Sequence, residues 1–94
     1  MSGRPAPSSE ASPPRVLVVD GDARHEVFVV VDAEGDLIRA RSAYLFEIGE
    51  ELTVEIVQEG RVSDATARVR AHTGPDTARI TELEITDRSA PRAG

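Results

Sequence analysis

An all-β fold, a small six-stranded antiparallel β-barrel, is predicted by three observations. Short runs rich in valine, isoleucine and leucine recur along the chain, at the spacing of about 8–12 residues typical of sandwiches and small barrels. Most of these runs alternate apolar and polar residues, the period of a strand with one face inward. Glycine-containing turn pairs separate them, and no long amphipathic helix pattern is present. Barrel closure would also remove exposed strand edges, which so small a chain must otherwise protect.

The elements follow in order. Val16 to Val19 is an apolar run ended by Asp20-Gly21, a pair that tolerates the positive φ of tight hairpins. His25 to Val31 is rich in β-branched residues, and its near-continuous apolarity predicts a strand buried on both faces. Glu34-Gly35-Asp36 turns the chain into Leu37 to Ser42, with Ile38 and Ala40 on one face and Arg39 and Arg41 on the other. Tyr44, Leu45, Phe46 and Ile48 then crowd together before Gly49. They predict an apolar loop that plugs one end of the barrel, with glycine taking a conformation other residues resist. Leu52 to Val57 alternates, Glu59-Gly60 turns, and Val62 to Ala71 alternates again with Ala65, Ala67, Val69 and Ala71 inward. Thr73 to Asp76 is a turn, and Ala78 to Thr86 closes the domain. The inward set of that last strand changes parity between Ile80 and Leu83, which predicts a β-bulge near Thr81-Glu82.

Composition bounds the function. Residues 1–14 hold four of the 6 prolines and four serines, and predict a disordered tail. Residues 88–94 are expected to be a flexible C-terminal tail, leaving one domain at 15–87. A domain of about 73 residues buries only about 60% of its unfolded surface, which leaves little room for an enclosed active site. The absence of cysteine excludes disulfides, thiolate zinc sites and cysteine nucleophiles, and fits a cytoplasmic location. No apolar run is long enough to span a membrane, and the N-terminus lacks the apolar stretch of a secretion signal. A net charge of −6 disfavours nucleic acid as a partner. All 11 basic residues are arginine, as a high-GC genome would produce or as selection for bidentate contacts would favour.

The order of parts from Arg15 to Ile85 resembles a PilZ domain, the bacterial β-barrel family that binds cyclic di-GMP. The likeness lies in a strand ending in an acidic, glycine-containing turn, a short arginine-bearing strand (LIRAR), the segment LFEIGEELTVEI leading into a strand, and the long strand DATARVRA. The resemblance implies a ligand site built from two motifs, R-x-x-x-R before the first strand and [D/N]-x-S-x-x-G in the turn between the second and third. This chain departs from both. Arg15 matches the second arginine, but Ala11 stands where the first belongs. Asp32 matches the acidic position, whereas Glu34 falls on the serine, Leu37 on the glycine, and Gly35 is displaced. A carboxylate about 4–6 Å from a phosphate, at an effective dielectric near 20, repels it by on the order of 3–4 kcal/mol. Loss of a charge-assisted arginine contact adds to this. The degenerate ligand set Arg15, Asp32, Glu34 and Gly35 is therefore not expected to bind cyclic di-GMP usefully, and no cofactor is expected.

Other chemistry is weaker. RVLVVDGD resembles a receiver-domain strand, but lysine and alternating helices are absent. Asp20, Asp22, His25 and Glu26 are suitable metal ligands without a calcium-loop pattern, so no metal is expected. His25 and His72 lack a serine in nucleophile-elbow context, and His72 at a strand end reads as solvated. Glu50-Glu51 and Glu82/Glu84 read as solvated faces. Arg39, Arg41, Arg68 and Arg70 fall at i, i+2 positions on two strands. If those strands are neighbours, they form an exposed arginine stripe suited to an acidic protein partner. If not, they are outward residues paired with Glu55, Glu82 and Glu84. The reading is a non-enzymatic bacterial regulatory adaptor in motility, polarity or related signalling, working by protein–protein interaction. The alternatives are a cyclic di-GMP sensor with a nonstandard motif and an OB- or SH3-like scaffold barrel.

Overall fold

The computed structural model describes residues 13–93; the expected tail at 1–14 lies almost wholly outside them. The chain is all-β. Its strands are β1 (Arg15–Asp20), β2 (Ala23–His25), β3 (Phe28–Glu34), β4 (Leu37–Ser42), β5 (Glu51–Gln58), β6 (Arg61–Thr73), β7 (Ile80–Thr86) and β8 (Arg92–Ala93). A 3₁₀ turn at Asp76–Ala78 precedes β7. The sheet is antiparallel, in the order β2-β1-β5-β6-β7-β4-β3, with β8 added on β6.

The expected six-stranded closed barrel is corrected to an open sheet of more strands. The stretch predicted as one strand, His25 to Val31, breaks at Glu26-Val27. Only its first residue, His25, belongs to β2, which pairs with Val18–Asp20 of β1. That pairing occupies the outer edge of β1, and among the described residues no ladder joins β1 to β3. The sheet nevertheless curls around one core. Val16 of β1, Phe28 of β3, Val54 of β5, Val69 of β6 and Leu83 of β7 share a single buried cluster with exposures of 0–1%. The predicted two-sided burial of β3 does not occur: Val29 and Val31 are 68% and 46% exposed.

Hairpin chemistry sets the register. The β1–β2 turn is centred on Gly21-Asp22, one residue later than expected. At Glu59-Gly60 both residues have positive φ, 55° and 77°, the requirement of a type I′ turn. The predicted bulge at Thr81-Glu82 is also corrected. β7 alternates without interruption, with Thr81, Leu83 and Ile85 buried. The extra residue is Arg70 on β6, where pairing passes from Val69↔Leu83 to Ala71↔Glu82. A second irregularity lies in β3, at Val31. Residues 88–93, expected to trail as a flexible tail, lie across β6 instead: Ser89 N donates to Asp64 O at 2.8 Å, and β8 pairs with Arg61-Val62.

Candidate functional site

The residues of the degenerate dinucleotide motif are dispersed. Arg15 opens β1, and its guanidinium donates through Nε and Nη2 to both carboxylate oxygens of Glu26, at 3.0 and 2.9 Å. That hydrogen bonding, ahead of the charge attraction, holds the Glu26 carboxyl below the ordinary glutamate range. Asp32 receives the same two-pronged contact from Arg39, at 2.9 and 3.1 Å. The hydrogen bond to Asp32 is the chief cause that raises the Arg39 pKa, followed by the charge of Asp32 and, more weakly, those of Glu82 and Glu34. Glu34 and Gly35 lie at the β3–β4 turn, where Gly35 has φ 60°. No ion pair or hydrogen bond among the described residues joins Arg15 to Asp32 or Glu34. Arg15 sits against the residues just before β3, and Glu34 ends that strand, roughly 20 Å further along at the rise of an extended chain. The four do not make one pocket.

The four arginines expected to form a docking stripe, Arg39, Arg41, Arg68 and Arg70, are not continuous. β7 runs between β4 and β6, so Glu82 stands opposite Arg39 and Glu84 opposite Arg68. Arg41 lines a shallow depression with Val29 and Tyr44, at the β3 edge. Arg68 and the bulged Arg70 line another with Ile48 and Glu84. Neither Arg41, Arg68 nor Arg70 has an ion pair among the described residues. Glu55, proposed as their companion, instead lies buried between Arg24 Nε, at 2.9 Å, and Arg92 Nη2, at 3.6 Å.

Between these arginines stands the loop 43–50, and its arrangement departs from the expected plug. Only Phe46 turns inward, with its ring 5.3 Å from that of Phe28. Tyr44, Leu45 and Ile48 are 60–65% exposed. Four bulky residues in five positions cannot all reach the core from one short loop, and that crowding was the available signal. The loop is pinned from below. Gly49 N donates to Val69 O at 2.7 Å, and Val69 N donates to Glu50 O at 2.8 Å. His72 Nε2 donates to Phe46 O at 2.7 Å, while Nδ1 meets Thr81 Oγ1 at 3.0 Å. The solvated histidine expected at the strand end is thus a half-buried bracket, because the Arg70 bulge turns His72 to the inner face opposite Thr81. A bulge has no single-residue signature, so this role could not be read from the chain.

Beside the loop, the core is open. A groove of about 520 Å³ runs between the β1–β2 hairpin and the loop, over Val18, Val27, Phe46 and Leu52, with Asp20, His25 and Glu51 at its edges. Among the described residues no group of three or more histidine, cysteine, aspartate or glutamate side chains is placed to hold a metal. Among the described residues no helix is long and apolar enough to cross a membrane. No protein-family model matches the chain, and no curated protein or solved structure is significantly similar to it.

Proposed function

We propose that the protein is a non-enzymatic regulatory adaptor, PilZ-like in its sequence order, that works by docking another protein and not by holding cyclic di-GMP. The observation that carries this reading is the pinned loop presenting Tyr44, Leu45 and Ile48 to solvent. Exposed apolar side chains are ordinary when scattered and informative when they cluster on an ordered element. Aromatic and arginine residues are those that carry most interface energy, and Arg41, Arg68 and Arg70 flank this crest. Against the nucleotide stand the engagement of Arg15 by Glu26 and of Asp32 by its own arginine. A phosphate would have to displace a carboxylate already seated on the guanidinium. A cytoplasmic site in motility or polarity control follows from the family likeness.

Two measurements test the reading. Calorimetric titration with cyclic di-GMP is expected to give no binding heat; micromolar affinity abolished by Arg15→Ala overturns it. Capture of partners from the source organism is expected to fail with the folded triple variant Tyr44→Ser, Leu45→Ser, Ile48→Ser. It is also expected to weaken with Arg39→Glu plus Arg41→Glu. A partner retained by both places docking elsewhere.

A further inference from the structure

The groove beside the loop has a composition of its own. Val18, Val27, Phe46 and Leu52 form its floor, and all four also pack against the buried cluster. The groove is therefore an unroofed end of the core, where four apolar side chains stay half-exposed because β1 turns away into β2. Its volume of about 520 Å³ lies in the range of clefts that accept ligands, about 300–1,000 Å³. Its rim is acidic. Asp20 stands at the end of β1 and Glu51 at the start of β5, and neither has an ion pair among the described residues. Arg68 is in register with Glu51 across the β5–β6 ladder, yet no ion pair forms between them. Arg24, the nearest arginine on β2, is engaged by Glu55.

An apolar hole with two unsatisfied carboxylates at its lip has a definite complement. We propose that this groove seats a protein segment in which a leucine-like side chain stands next to arginine or lysine, the apolar group filling the floor and the cations meeting Asp20 and Glu51. The proposal rests on the docking function above and names the anchor of the partner. Charge complementarity selects such a segment over an acidic one, since a glutamate beside the anchor would be brought against two like charges.

The test uses two synthetic heptapeptides with blocked ends, one alternating leucine and arginine, the other with every arginine replaced by glutamate. Each is titrated into the isotopically labelled full chain and followed by amide NMR. The arginine peptide is expected to give saturable shifts at Val18, Val19, His25 and Thr53, and the glutamate peptide none. Asp20→Asn with Glu51→Gln is expected to weaken binding roughly tenfold or more, through loss of two charge-assisted contacts. The equally charged control Glu59→Gln with Asp76→Asn, remote from the groove, is expected to leave it unchanged. Shifts centred elsewhere, an equal response to the glutamate peptide, no saturable shift, or undiminished binding by the groove variant overturns the proposal. If the peptides fail while the crest variant still loses its partner, docking stands and this groove is not its anchor.

Discussion

Arg15 and Glu26 connect two segments that no ladder joins, the start of β1 and the approach to β3. The guanidinium keeps the Glu26 carboxyl below the ordinary glutamate range. Because the folded value is depressed, the pair contributes stability above the unfolded glutamate pKa, near 4.3, and that contribution disappears as pH falls through the folded value. Carbon-detected NMR titration is expected to find Glu26 titrating below the ordinary range, and Arg15→Gln is expected to return it upward. An unchanged Glu26 midpoint in that variant would show that Arg15 is not the cause. Of the motif residues, the chemistry of Arg15 and Asp32 was legible as charge, but their partners were not. Glu26 and Arg39 are acidic and basic residues like any others until folding places them opposite.

Turns and bulges decide which strand pattern becomes which face. The alternation of β4 and the inward set of β5 were readable, with Ile38, Ala40, Val54 and Ile56 buried as expected. β3 misled, since its valine run lies on an edge strand and leaves Val29 exposed. The parity break was inferred from real residues but assigned to β7, where Ile80 is only half-buried and Thr81 takes the inward place. Sequence shows that parity changes somewhere in a pair of strands and not on which strand the extra residue sits. Glycine positions give a sharper test. Gly49 has φ 93° with nothing near an added Cβ, whereas Gly74 has φ 86° and an added Cβ would lie 2.9 Å from the Ala78 carbonyl oxygen. Gly49→Ala is expected to cost about 1 kcal/mol for backbone conformation alone. Gly74→Ala is expected to cost more, because the clash falls on backbone that cannot rotate away. Urea unfolding of the two variants checks the order.

At the scale of the whole molecule, Glu55 joins both ends of the described chain to its middle. It lies on β5, with a side chain 12% exposed, between Arg24 of β2 and Arg92 of β8. Arg92 also holds Asp64 through Nη1 at 2.9 Å. Either arginine alone leaves the carboxylate compensated, so Arg24→Ala or Arg92→Ala is expected to cost about 1 kcal/mol or less. The double variant leaves a buried charge unpaired and is expected to cost about 3 kcal/mol, more than the sum. Additive losses in denaturant titration would mean that solvent reaches Glu55. None of this was visible in the chain, where residues 88–94 lack any apolar pattern. The placement of residues 88–93 depends on ion pairs and on Ser89 meeting Asp64, contacts between positions 25 or more residues apart.

The inserted Arg70 carries a consequence for how this chain tolerates change in length. Excising that one position would leave Val69 opposite Leu83, Ala71 opposite Glu82 and His72 opposite Thr81, now in unbroken alternation, so the bracket beneath Phe46 would survive. The same loss a few positions earlier, at Ala67, would swing Arg68 inward and Val69 outward. The surplus residue is thus a point of slack, where the strand absorbs a deletion that its regular stretch would not.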